Sequence, residues 1–216
     1  MKAIGIGSIG ALAETSEIQR ACFNQALAEH KTGLHWNIAT YCDAIQKPGG
    51  FARLAALGLG DETARAIHHR KQELFADAIK GVITPRTGIL DLMSECAAQN
   101  ITMAFVTTTT KQTLDAVIEA LGDQIDFDQF KLITHAEHAA RPKPYSDIYH
   151  FALETLGCIP AEMLAIEDTE ANVKSAQNAG IKTLFTPGEY ALVSSMSASS
   201  HQLSYAQCEA HFAAAA

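Results

Sequence analysis

The chain has 216 residues, 48% of them hydrophobic and 19% charged, and a formal net charge of −8. That length holds one large domain or a core with an insertion, and the composition is that of a globular protein rather than a disordered one. The negative charge argues against a nucleic-acid partner, whose phosphates demand a basic surface. It leaves room for a small phosphorylated ligand, which needs only a local positive site.

Met1-Lys2 leads straight into a strand-like run with no apolar leader, so no signal peptide is expected. No apolar run approaches the ~18 residues that span a bilayer, so no membrane partner is expected either. The five cysteines, Cys22, Cys42, Cys96, Cys158 and Cys208, contain no CxxC pair. They are expected as buried free thiols of a cytoplasmic protein. The histidine pairs His68-His69 and His135/His138 lack cysteine or carboxylate partners at zinc spacing, so helix surface or loop is their expected role. A monomer is expected.

In chain order, Lys2 to Gly10 reads as a strand running into a glycine loop. Glu17 to Glu29 reads as a helix with Ile18, Cys22, Phe23, Ala26 and Leu27 on one stripe, capped by Thr15 or Ser16. A second helix, Ile38 to Gln46, is broken by Pro48-Gly49-Gly50. A short third helix covers Phe51 to Leu57, and a longer one, capped by Asp61, runs through Ile79. No strand pattern appears between residues 16 and 80, which predicts an all-helical insertion too long for an ordinary loop.

From Thr84 onward, helices alternate with short apolar strands. Helices are predicted at Ile89 to Gln99, Lys111 to Leu121, Tyr145 to Leu156 and Asn172 to Ala179. Strands are predicted at Thr102 to Val106, Lys131 to Thr134, Met163 to Ile166 and Lys182 to Thr186. This is the pattern of βαβ units around a parallel sheet. The expected fold is therefore a Rossmann-like α/β core, residues 1–14 and 86–216, with a helical cap at residues 15–85. The tail from Ser194 reads as a serine-rich connector, and His201 to Ala216 as a final helix or a frayed end.

In parallel sheets ligands bind beyond the carboxyl ends of the strands. Four groups fall there: the loop at Gly7, the run Thr107-Thr108-Thr109-Thr110, the segment after Thr134, and Glu167-Asp168. Hydroxyls and backbone amides at a βα turn suit an anion, although threonine is also common in strands. In Arg141-Pro142-Lys143-Pro144 two prolines fix the backbone around one lysine, either a phosphate ligand or a solvated side chain on a rigid loop. Two carboxylates after an apolar strand suit a hard cation; Asp168 or Thr169 as a helix cap is the alternative.

Gly10-Ala11-Leu12-Ala13-Glu14-Thr15, with Arg20 and Cys22-Phe23-Asn24, resembles the opening of the haloacid dehalogenase superfamily, nearest its CbbY-type sugar-phosphate phosphatases and β-phosphoglucomutases. Lys143-Pro144-Tyr145-Ser146-Asp147-Ile148-Tyr149 and Glu167-Asp168-Thr169 follow in family order. The resemblance implies that Thr107, Thr108 and Lys143 bind phosphate and that Glu167 and Asp168 hold magnesium. It also implies that Gly49, Gly50 and Arg70 of the cap face the substrate. Phe51 departs from it, standing where the CbbY type places lysine after the glycine pair. The family opens with Asp-x-Asp-Gly-Thr-Leu. Registered on Gly10 and Leu12, its nucleophilic aspartate falls on Gly7, its acid/base aspartate on Ile9 and its threonine on Ala11. Glycine cannot attack phosphorus, and isoleucine can neither protonate a leaving group nor activate water. Strand alternation points Ser8 away from the side that Gly7 faces, so it is not expected to substitute.

The expected function is thus that of a degenerate phosphatase-family protein, catalytically impaired, holding a small phosphorylated molecule or inorganic anion with magnesium weakly bound at most. Two alternatives stay open: an active phosphatase or phosphomutase working by a modified mechanism, and a structural or protein-interaction module.

Overall fold

The computed structural model describes residues 1–46, 49–193 and 203–214. Its centre is a five-stranded, fully parallel sheet of β1 (Ala3–Gly7), β2 (Thr102–Val106), β3 (Phe130–Ile133), β4 (Met163–Glu167) and β5 (Lys182–Phe185), in the order β3-β2-β1-β4-β5. This is the expected Rossmann-like α/β core. β1 lies in the middle, and the chain reverses its direction of travel across the sheet there. The crevice between the ends of β1 and β4 is the switch point where such sheets bind ligands.

Both faces of the sheet are covered, so its strands are apolar on both sides. Ile4, Ile6, Phe105, Leu164 and Ile166 pack on one face with α6 (Ile89–Ala98) and α7 (Lys111–Leu121); α10 (Tyr205–Ala213) closes the same side. Ala3, Ala104, Val106, Met163 and Ala165 face α8 (Asp147–Leu156) and α9 (Glu170–Asn178) on the other. The period of two continues along β1 and β4, so Gly7 and Glu167 both belong to the α8 side.

Between β1 and β2 the described secondary structure is helical apart from one isolated β-bridge. A single-turn α1 (Ile9–Leu12) occupies the predicted glycine loop and is followed by α2 (Ser16–Glu29), α3 (Ile38–Ile45), α4 (Gly50–Ala55) and α5 (Asp61–Ala78). α2 to α5 enclose their own cluster of Phe23, Leu27, Trp36, Tyr41, Leu54 and Ile67. The chain enters and leaves this region along adjacent strings: Ala13 bridges Pro85, and the Arg86 amide donates to Leu12 O at 2.8 Å. The Arg86 guanidinium ties the junction to the core through the carbonyls of Gly10, Thr186 and Pro187.

Several predicted boundaries shift. Asp61 is the first residue of α5 rather than its cap, Gly60 being the cap; there its charge favours the helix N-terminus. Thr15 caps α2 without a side-chain hydrogen bond. Glu14 supplies that bond instead, accepting from the Ser16 amide at 2.8 Å. Ser194–Ser200 lie outside the described residues. All five cysteines are free thiols. Among the described residues no helix is long and apolar enough to cross a membrane.

Candidate functional site

A cleft of about 310 Å³ opens over the carboxyl ends of β1, β2 and β4, beneath the cap helices. That is the lower end of the range for small-molecule sites. Its floor is Ser8, Ile9, Gly10, the Thr107–Thr110 run and Asp168; Gln19, Gly49, Gly50, Arg53, His68 and Lys71 form its cap-side wall.

Thr107, Thr108, Asp168, Gly49 and Gly50 therefore meet in one place, as expected. Thr107 is buried: its amide donates to Thr134 Oγ1 at 2.9 Å, and its own hydroxyl accepts from the Thr109 amide at 3.1 Å. Thr110 caps α7 and accepts from Gln72 Nε2 at 3.0 Å, a direct hydrogen bond between cap and core. Gly50 is required by packing, since a Cβ there would come within 2.8 Å of His68 Nε2 and 3.0 Å of Phe23. Ile9 forms an apolar part of the floor where the family has an acid.

Ser8 is a correction. The strand ends at Gly7 and Ser8 takes a φ of 61°, so alternation stops one residue early. Ser8 consequently lines the cleft, where its Oγ accepts from the Ala11 amide at 3.3 Å. Arg70 is not among the residues lining the cleft. Its guanidinium pairs with Glu29 at 2.6 Å and Glu73 at 3.0 Å on the outer side of α5. One helical position is a rotation of about 100°, and it is Lys71 that turns inward, 5% exposed. Lys71 donates to Gln19 Oε1 and lies 4.9 Å and 4.6 Å above the rings of Phe23 and Phe75. Burial, reinforced by the Arg53 charge, holds its ammonium at about 7 rather than the usual lysine value. His68 also lines the cleft, against the expectation of a surface or loop role, and burial lowers it to about 4. It is neutral at pH 7. The other pair does occupy a loop turn, with His138 stacked on Phe151 at 4.8 Å.

Lys143 and Glu167 are brought to the same end of the sheet, but beneath the cleft floor and not among its lining residues. Lys143 is 2% exposed and Glu167 fully buried. Lys143 Nζ donates to Glu167 Oε1 at 2.5 Å and to Val106 O at 2.9 Å. Tyr149 Oη donates to the same Oε1 at 2.5 Å, and Oε2 is buried with no partner among the described residues. Burial outweighs the nearby ammonium and raises Glu167 to about 7. Gly7 lies against this cluster. A Cβ at position 7 would overlap the Glu167 carboxylate and come within 2.6 Å of Tyr149 Oη. The space of the missing side chain is filled.

Magnesium does not fit this arrangement. The ion is held by one or two convergent carboxylates, with water and phosphate oxygens completing its octahedron; among the described residues no three His, Cys, Asp or Glu side chains gather, and the two acids here point apart. Glu167 is turned down to Lys143. Asp168 is turned up into the cleft, with its Oδ1 accepting from Asn172 Nδ2 at 2.9 Å and its Oδ2 packed over Gly10. The lining offers groups that can meet an anion. Arg53 and Lys71 bring cationic side chains, the threonine run brings hydroxyls, and Asp168 is the only carboxylate among the described lining residues. Arg53, Lys71 and Asp168 are thus the charged side chains of the cleft among the described lining residues, in a protein of net charge −8.

The fold and the comparisons agree on the class: residues 10–186 match the profile of the haloacid dehalogenase-like hydrolases, and the chain belongs to that family. Within it, the chain sits in the CbbY-like phosphatase branch. It is 33% identical over 197 residues to protein CbbY of Rhodobacter capsulatus, covering 88% of this chain and 87% of the relative. A CbbY variant from Rhodobacter sphaeroides, solved in complex with xylulose-(1,5)-bisphosphate, superposes with a TM-score of 0.86 at 28% identity, over 96% of this chain and 99% of that one. β-Phosphoglucomutase from Clostridium difficile shares the fold, with a TM-score of 0.77 at 17% identity over 98% and 97% of the two chains.

Proposed function

We propose that this protein binds a small phosphorylated sugar in its cleft and does not hydrolyse it through an aspartyl-phosphate. The observation that carries the reading is at position 7. No nucleophile stands there, and the space one would occupy is taken by Glu167 and Tyr149. Covalent phosphoryl transfer needs that group, and the acid/base role needs a titratable side chain where Ile9 stands. The ligand class is supported by the phosphate and xylulose-(1,5)-bisphosphate complexes of the related CbbY, and by two cationic side chains in a cleft of sugar-phosphate size.

In this reading Thr107, Thr108 and the neighbouring amides hold the phosphoryl group, with Lys143 adding positive charge from below the floor. Gly49, Gly50, Arg53 and Lys71 meet the rest of the ligand. The division into a core of residues 1–14 and 86–216 and a cap of residues 15–85 follows the paired strings at Ala13 and Pro85. A monomer in the reducing cytoplasm suits five unpaired thiols.

A second reading, phosphatase or phosphomutase activity by a modified mechanism, is favoured only by Ser8, whose hydroxyl reaches the cleft. That oxygen is engaged with the Ala11 amide, and no hydrogen bond joins it to a base among the described residues.

Calorimetric titration with inorganic phosphate and with a sugar bisphosphate tests the reading. Saturable binding is expected, weakened about tenfold or more in Lys71→Ala, because charge-assisted hydrogen bonds are the strong ones. No binding at millimolar ligand would leave the protein as a structural or interaction module.

A further inference from the structure

The two acids that should share a metal diverge, and a lysine stands beside one of them. We propose that Lys143 is the resident cation of this site, its ammonium taking the place of a divalent metal beside Glu167, so that the cleft binds anions with no metal bound. This rests on the anion-binding reading above, but it is separately testable.

Three observations support it. Glu167 is fully buried, and a buried carboxylate persists only with a counter-charge or a proton. Lys143 supplies the counter-charge at 2.5 Å and is itself enclosed, with Val106 O at 2.9 Å and the Tyr149 ring 5.2 Å from its nitrogen. The Glu167 carboxylate that Lys143 holds, together with Tyr149 Oη, occupies the space a side chain on residue 7 would enter. Only one carboxylate oxygen of the cluster, Glu167 Oε2, lacks a partner. The other acid, Asp168, points the opposite way into the cleft, so with no carboxylate on residue 7 the two acids do not converge on one ion. The loss of the side chain at position 7 and the capture of Glu167 by Lys143 are then two sides of one change. The metal's positive charge is supplied by the chain itself.

The test begins with manganese alone, added to the wild-type protein and followed by the paramagnetic resonance of the free ion. The free signal is expected to match buffer, and the melting temperature to be the same in chelator and in magnesium. Stoichiometric manganese binding that is lost in Glu167→Gln would overturn the proposal. A mutant cycle gives a second reading: Lys143→Met and Glu167→Gln are each expected to lower the melting temperature more than the double variant does. Singles that melt like the wild type would overturn the pairing. If the singles fail to fold, manganese decides by itself. Phosphate titration with and without chelator separates this proposal from the binding reading. Equal affinity supports both. Affinity that needs magnesium overturns the resident cation and keeps the anion site. No phosphate binding, with manganese still unbound, removes the anion site and keeps the resident cation.

Discussion

A glycine at position 7 leaves the end of β1 bare on the α8 side, and Glu167 and Tyr149 close over it, Glu167 held in turn by Lys143. Restoring a carboxylate there therefore meets an occupied space. Gly7→Asp is expected to cost about 1–3 kcal/mol through overpacking, with the repulsion from Glu167 added, and to recover no phosphatase activity. Urea unfolding and a phosphate-release assay would check this; a Gly7→Asp protein as stable as the parent and active would show that the space is free. Lys71 makes a second residue-scale prediction. It faces Arg53, His68, Gln19, Cys22 and two aromatic rings, with no carboxylate bonded to it among the described residues. With its ammonium near 7, it is charged below that pH and neutral above it. Sulfate, which does not titrate in this range, should bind more weakly as pH rises through about 7, and the slope should vanish in Lys71→Ala. A flat profile in the parent would remove Lys71 from the site. Its inward direction was legible: Ile67, Lys71 and Phe75 repeat at four residues on one stripe. The Arg70 expectation came from similarity and lies one step off that stripe. Glu167 was legible too, since Met163, Ala165 and Glu167 alternate onto one face. Its pairing with Lys143 was not, because 24 residues separate them and only the fold brings them together.

At the scale of elements, β2 and α7 have the predicted limits, while most other ends move by one to three residues. Thr110 and Asn37 accept hydrogen bonds that hold their helices' first turns, and α7 and α3 start where predicted; α6 also starts at the predicted Ile89 although Gly88 supplies no side-chain cap. The one-turn α1 was hidden because a glycine-rich string carries little helix propensity. A contact that no pattern announced joins core to cap. After β5, Tyr190 reaches the cap's apolar cluster, its ring 6.3 Å from Tyr41, and donates to Glu17 Oε2 at 2.6 Å. The neighbouring Glu189 amide donates to Glu14 Oε2 at 2.7 Å. Tyr190→Phe should cost about 0.5–1.5 kcal/mol, the net worth of one hydrogen bond, and Tyr190→Ala more. Trp36, the single tryptophan, packs on Tyr41 at 5.7 Å and reports unfolding of this region. Denaturation curves of both variants that overlay the parent's would show that the Tyr190 contact contributes nothing.

For the whole molecule, the parallel sheet, the helical region before β2 and the place of the cleft all follow from the alternation of short apolar strands with amphipathic helices. What the cleft does depends on charges whose positions only the folded chain defines. A net charge of −8 with Arg53 and Lys71 in the cleft favours a small anion over a polyanion. The chain keeps the architecture of the CbbY branch, and in the proposed reading, with Glu167 and Tyr149 packed against Gly7, binding should persist where turnover does not. The most direct measurement is phosphate release from xylulose-(1,5)-bisphosphate with magnesium present, for the parent protein and Asp168→Asn side by side. Release at background for both is the predicted result. Turnover near the ~10 s⁻¹ typical of enzymes, abolished in Asp168→Asn, would contradict the account.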